Sequence, residues 1–181
     1  AGTACGEVCF NTSLEGYFEV LTDPSYAGQI VTMTYPQIGN YGIDPDDVQS
    51  AYPGSTERGA ATPALRGMIV HDMCHTPSNW RSSISLPEYL KDNDIVAVES
   101  IDTRALVRHL RDHGAQQGII STEVFDLTEL AAKLAEAPAL VGENLVKTVS
   151  CADEYSYAAA DLPAAHAFAD AAPAPAKYRV V

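Results

Sequence analysis

Between Met68 and Pro138 the chain alternates short apolar runs with helix starts that cap themselves. No other feature narrows the fold as far. Met68-Ile69-Val70 is a short buried strand. Ser85-Leu86-Pro87-Glu88 spells a capping box, in which Ser85 accepts from the backbone N–H three residues on and Glu88 reaches back. Pro87 falls in the first turn, where no donor is missed, so a short helix runs to about Asn93. Ile95-Val96-Ala97-Val98 is the next strand. Asp102 then caps a second helix that stops at Gly114, with Leu106, Val107 and Leu110 on one face and Arg104, Arg108 and Arg111 on another. Gly118-Ile119-Ile120 returns as a strand. Asp126-Leu127-Thr128-Glu129 opens a third helix, with Leu127, Leu130 and Leu134 expected inward and Pro138 as its stop. Strands interleaved with helices predict a mixed α/β domain.

Upstream, residues 7–35 read as β structure with turns. Val31, Met33 and Tyr35 alternate with Thr32 and Thr34, and Asp23-Pro24-Ser25-Tyr26 interrupts as a turn. Residues 36–47 hold Pro36, Gly39, Asn40, Gly42 and Pro45, which leaves room for no regular element. The stretch from Ser50 to Gly67 reads as a surface loop. From Ala152 to Ala176 the composition changes to 12 alanines and 3 prolines, with four acidic side chains and no Lys or Arg. Little there can build a core, so a linker is expected. Lys177-Tyr178-Arg179-Val180-Val181 then reads as the first strand of a further domain.

Charge and motifs remove several function classes. The net charge of −13 repels a phosphate backbone and gains nothing from an anionic membrane, so neither nucleic acid nor membrane is an expected partner. No apolar run reaches the roughly 18 residues a membrane helix needs, and residues 1–5 have no signal-peptide pattern. Four cysteines (Cys5, Cys9, Cys74 and Cys151) are too sparse for a disulfide framework, so free thiols in the cytoplasm are expected. Cys5 and Cys9, four apart, share a strand face and read as core thiols. Neither Gly-rich phosphate motif occurs. Glu7, Asn11, Thr76 and Asp153 stand two residues after the four cysteines, so none fits a G-x-C-x-G nucleophile elbow. His71-Asp72-Met73-Cys74-His75 is the most metal-like cluster, but it has no fourth ligand at zinc-site spacing, and a loop after a strand is the expected reading. The arginine stripe could pair with a partner's acidic groups or bind an anion; a solvated helix face is the plainer reading.

One run of motifs goes further. Gly6-Glu7-Val8-Cys9-Phe10-Asn11-Thr12-Ser13 is followed by Gly16-Tyr17, Leu21-Thr22-Asp23-Pro24-Ser25-Tyr26, Gly28-Gln29-Ile30-Val31, Thr34-Tyr35-Pro36 and Ile38-Gly39-Asn40-Tyr41-Gly42. Later come Ser78-Asn79-Trp80-Arg81, Ile101-Asp102-Thr103-Arg104, Leu110-Arg111 and Gly114-Ala115. In this order, over about residues 6–157, the run resembles the N-terminal domain of the small subunit of glutamine-dependent carbamoyl-phosphate synthetase. The resemblance implies a three-layer β/β/α swivelling domain over 1–157, a linker over 158–176 and, at 177–181, the stub of a glutamine amidotransferase domain. It implies that catalysis by a Cys–His pair belongs to that further domain, so this fragment holds no catalytic residue and no metal or cofactor of its own; ATP and Mg are used by the large subunit. It implies two partners, the large subunit and the amidotransferase domain, and an enzyme that makes carbamoyl phosphate from glutamine, bicarbonate and ATP for arginine and pyrimidine synthesis. Ser25 is the one residue it assigns to substrate, as a glutamine contact. A free-standing interaction module with the same fold is the rival expectation, and a small Cys/His metalloprotein a third.

Overall fold

A computed structural model describes residues 2–50, 63–140 and 142–150. The chain divides into two units, residues 1–150 and 151–181, and every described residue belongs to the first. The expected boundary at 157, the linker, the strand stub, Cys151 and most of the loop from Ser50 to Gly67 lie outside the described residues.

The scaffold is a five-stranded mixed sheet. Its strands are β1 (Thr3–Asn11), β2 (Gln29–Met33), β4 (Gly67–Ile69), β6 (Val96–Val98) and β7 (Gln116–Ser121), in the order β6-β4-β2-β1-β7. The pairs β1–β2, β2–β4 and β4–β6 are parallel and β1–β7 is antiparallel. The sheet curls: a Cβ placed on Gly67 of β4 would lie 2.7 Å from Ile120 Cδ1 of β7, although two strands separate them. Two shorter strands, β3 (Gln37–Ile38) and β5 (Asp72–Met73), form a second small parallel sheet.

Helices α1 (Tyr17–Thr22) and α2 (Leu86–Asp92), with the small sheet, cover one face of the large sheet. Tyr17, Phe18 and Leu21 of α1 meet Leu86, Tyr89 and Leu90 of α2, with Val31, Met33, Met68 and Val70 beneath and Ile38 and Met73 beside them. The other face carries α3 (Thr103–His113), which packs Leu106 and Leu110 on Val8, Ile30 and Ile69. This is the expected mixed α/β domain, a curled sheet with short helices in layers. The middle strand explains the solidity of the arrangement. Ile30, Val31, Thr32 and Met33 are all fully buried, as parallel strands covered on both faces require. Period-two alternation in β2 thus sorts side chains between two interiors rather than between core and solvent.

Local signals hold where side chains act on their own backbone. The capping box forms, with Glu88 N donating to Ser85 Oγ and Ser85 N to Glu88 Oε2. Asp102 accepts from Ala105 N at 2.9 Å and opens α3, which ends at Gly114 with φ 84°. Three expectations need correction. Residues 7–35 contain α1: five of its six residues are buried, and burial of that face outweighs the strand preference of Tyr17 and Phe18. Residues 36–47 do form β3, together with a 3₁₀ turn at Pro45–Asp47. The third helix, α4 (Leu127–Glu136), is capped by Asp126 as expected but buries no residue, and Leu127 is 80% exposed rather than inward. A further short helix, α5 (Leu145–Val149), follows it under an Asn144 cap.

Candidate functional site

The Asp23–Tyr26 turn is ordered at each of its corners. Asp23 Oδ1 accepts from Ser25 N at 2.8 Å and pins a single 3₁₀ turn over Pro24–Tyr26, closed by Tyr26 N and Ala27 N donating to the carbonyls of Asp23 and Pro24. Pro24 presets φ at the first position. Tyr26 anchors the far side: its ring packs on the large cluster, and its hydroxyl accepts from Asn11 Nδ2 at 2.9 Å. Asn11 is the last residue of β1, so the turn is tied to the end of the sheet's longest strand.

Gly28 completes the seating. Its φ is 82°, a left-handed conformation that glycine adopts at little cost. Its carbonyl passes so near β1 that a Cβ on Gly6 would lie 2.5 Å from it, while Leu140 Cδ1 would lie 2.6 Å from a Cβ on Gly28 itself. Backbone thus approaches backbone on one side and the segment between α4 and α5 on the other. From this fixed platform Ser25 projects into solvent, and its hydroxyl has no hydrogen-bond partner among the described residues. A hydroxyl so placed can donate to or accept from an incoming polar ligand. One serine performs no covalent chemistry unaided, because a nucleophilic hydroxyl needs an adjacent base.

The other sequence candidates disperse. His71 Nδ1 lies 3.0 Å from the Ile101 carbonyl, which can only accept, so that nitrogen carries the proton. His75 Nε2 faces Glu99 Oε1 at 3.3 Å, and Cys74 Sγ donates to the Thr76 carbonyl. His71, Cys74 and His75 thus each have a separate partner, and among the described residues no three His, Cys, Asp or Glu side chains gather as a metal site would require. Cys5 and Cys9 share one face of β1, both half-buried. Burial raises both thiols, Cys9 to about 11, which disfavours the thiolate. Arg104, Arg108 and Arg111 line the exposed side of α3.

Sequence reasoning did not anticipate the Tyr26–Asn11 tie or the approach of Gly6 to Gly28; the glycines in G-x-V and Y-x-G contexts were the available signal. It also missed the exposure of Trp80, at 92%. Trp80 stands on a turn held by Arg81, whose guanidinium pairs with Asp44 and Asp47. Among the described residues no helix is long and apolar enough to cross a membrane.

Comparison with known proteins gives this geometry a context. The family model described as "Carbamoyl-phosphate synthase small chain, CPSase domain" matches residues 1–120. The carbamoyl phosphate synthase small chain of Syntrophotalea carbinolica is 54% identical over 156 residues, which is 86% of this chain and 39% of the relative. Those of a Nostoc species and of Maridesulfovibrio salexigens are 49% and 50% identical over the same length. The chain therefore spans only about 39% of the length of these relatives, and corresponds to their N-terminal part. With two thirds of its residues under the family model and about half of them identical to those of several small chains, the protein belongs to the carbamoyl-phosphate synthase small-chain family.

Proposed function

We propose that the chain serves as the non-catalytic N-terminal domain of the small subunit of a glutamine-hydrolysing carbamoyl-phosphate synthetase. In this reading it supports assembly with the large subunit and lends the Ser25 hydroxyl to the glutamine site of an adjoining amidotransferase domain. Hydrolysis of glutamine and the ATP-dependent formation of carbamoyl phosphate, for arginine and pyrimidine synthesis in the cytoplasm, take place elsewhere in the assembly. The observation that carries the reading is an unpartnered hydroxyl on a rigid turn, in a chain about half identical to carbamoyl phosphate synthase small chains. A side chain that must meet a ligand held by another domain needs this combination: fixed backbone and open hydrogen-bonding capacity.

The test uses the complete small subunit assembled with its large subunit. Ser25→Ala removes one neutral hydrogen bond to substrate, so KM for glutamine should rise about two- to twelvefold. The rate with ammonia, which bypasses the glutamine site, should stay unchanged. An unaltered KM for glutamine removes Ser25 from the site; equal losses with glutamine and ammonia show that the turn matters to assembly instead. The 181-residue chain alone should release no ammonia from glutamine, and turnover abolished by replacing one of its cysteines would overturn the non-catalytic assignment.

A further inference from the structure

The arginine stripe of α3 forms one wall of a cleft of about 660 Å³. Thr12, Thr34 and His71, which follow the carboxyl ends of β1, β2 and β4, form the opposite rim. In open α/β sheets this edge is where ligands bind, because adjacent parallel strands end together there and leave a crevice. On the helix side stand Arg104, Arg108 and Arg111, at i, i+4 and i+7. Packing of Leu106 and Leu110 on the sheet fixes the rotation of α3 and so aims that row along the cleft.

Charge makes the cleft unlike the rest of the molecule. The chain carries 24 acidic and 11 basic side chains, yet three of its arginines share this one concavity. Arg104 and Arg108 have no ion pair among the described residues, and Arg111 meets only Asp112, its neighbour in sequence, at 3.8 Å on the exposed surface. Such a contact contributes little. Asp102, the one acidic lining group among the described residues, already accepts from Ala105 N. His71 donates from Nδ1 to the Ile101 carbonyl, which leaves Nε2 without a partner among the described residues. On the same sheet face, two residues before Thr34, Thr32 holds a fully buried hydroxyl with no hydrogen-bond partner among the described residues.

We propose that this cleft binds a small phosphate-bearing anion. Guanidinium forks match phosphate oxygens bidentately, and threonine hydroxyls add donors at the opposite rim. A single carboxylate offers only two acceptor oxygens and one negative charge to three guanidiniums, whereas a phosphate or linked phosphates offer more of both to the row. The site is separate from the Ser25 turn, and the inference does not depend on the glutamine role.

Calorimetric titration of the 181-residue chain at low salt tests it, with orthophosphate, pyrophosphate and adenosine triphosphate in separate runs to distinguish a free anion from a phosphate ester. At least one should bind saturably, at one per chain and more weakly as salt rises. Arg104→Gln and Arg108→Gln should each weaken that binding about tenfold, through loss of a charge-assisted bond. Lys133→Gln, outside the cleft, should not, and all three variants should keep the parent's unfolding midpoint. Absence of saturable binding by all three probes, or equal weakening by Lys133→Gln, overturns the proposal. So does binding of a polyglutamate peptide in place of the phosphates, which would assign the cleft to an acidic protein surface.

Discussion

The two faces of the large sheet are built from the same strands yet differ in kind. Among the described residues, one is sealed by α1, α2 and the small sheet over fifteen buried hydrophobic residues, and the other rests on four, Val8, Ile30, Ile69 and Leu110, beneath α3. The first face spends its side chains on packing: Tyr17 stacks on Tyr41 at 4.2 Å, and Phe18 meets Tyr89 edge-on at 5.2 Å. The second leaves its helix half free, with arginines over a cleft at the strand ends. Stability is concentrated where both partners are apolar, and binding capacity is left where only one is.

Substitutions can break this comparison. Phe18→Ala, on the first face, should cost about 3–5 kcal/mol, and Leu110→Ala, on the second, about 2 kcal/mol because a thinly covered site collapses more easily. Urea unfolding of both variants measures the gap, and equal losses would show that the faces are energetically alike. Gly6→Ala comes next. Its Cβ would meet the Gly28 carbonyl, a backbone atom with nowhere to go, and overpacking of this kind costs about 1–3 kcal/mol. Because Gly28 seats the Ser25 turn, the same variant should raise KM for glutamine in the complete enzyme.

A smaller effect distinguishes the faces by pH. Burial raises Cys9 to about 11 and Tyr89 to about 12, and raises Tyr17 and Tyr41 as well, all of them on the first face. The folded values lie above the ordinary values of 9.0 for a thiol and 10.0 for a phenol. Their contribution to stability is therefore complete below about pH 9 and is lost as pH rises through 11 and 12. Denaturant midpoints should fall steadily above pH 9, and Tyr89→Phe should flatten that fall; a midpoint flat to pH 12 would contradict it. The smallest effect is expected at Leu127, 80% exposed on α4. Leu127→Gln should change stability by less than about 0.5 kcal/mol, whereas a loss near that of Leu110→Ala would place it in a core after all.

Legibility followed the range of the interaction. The caps at Ser85, Asp102 and Asp126, the Asp23 turn and the Gly114 stop were readable because each is a contact between residues two to four apart. Helix α1 was not, because its reason for existing is a face buried against residues far away in sequence. Leu127 misled for the converse reason: helical spacing announces an apolar stripe, but only a neighbouring surface can cover it. The same division runs through the site. Ser25 was found through its motif and its turn through Asp23, whereas the Asn11–Tyr26 tie and the Gly6–Gly28 approach join segments fifteen or more residues apart.

By itself, then, the sequence determined the α/β class, the places where helices begin and end, and the family, since local hydrogen bonds and motif order are properties of the chain alone. Tertiary structure decided which strand is interior on both faces, which leucines are covered, that the Ser25 hydroxyl stands unpartnered on a fixed platform, and that three arginines face the ends of three parallel strands. These depend on distant segments meeting, and the free energy of such meetings resides in surfaces that no single segment contains.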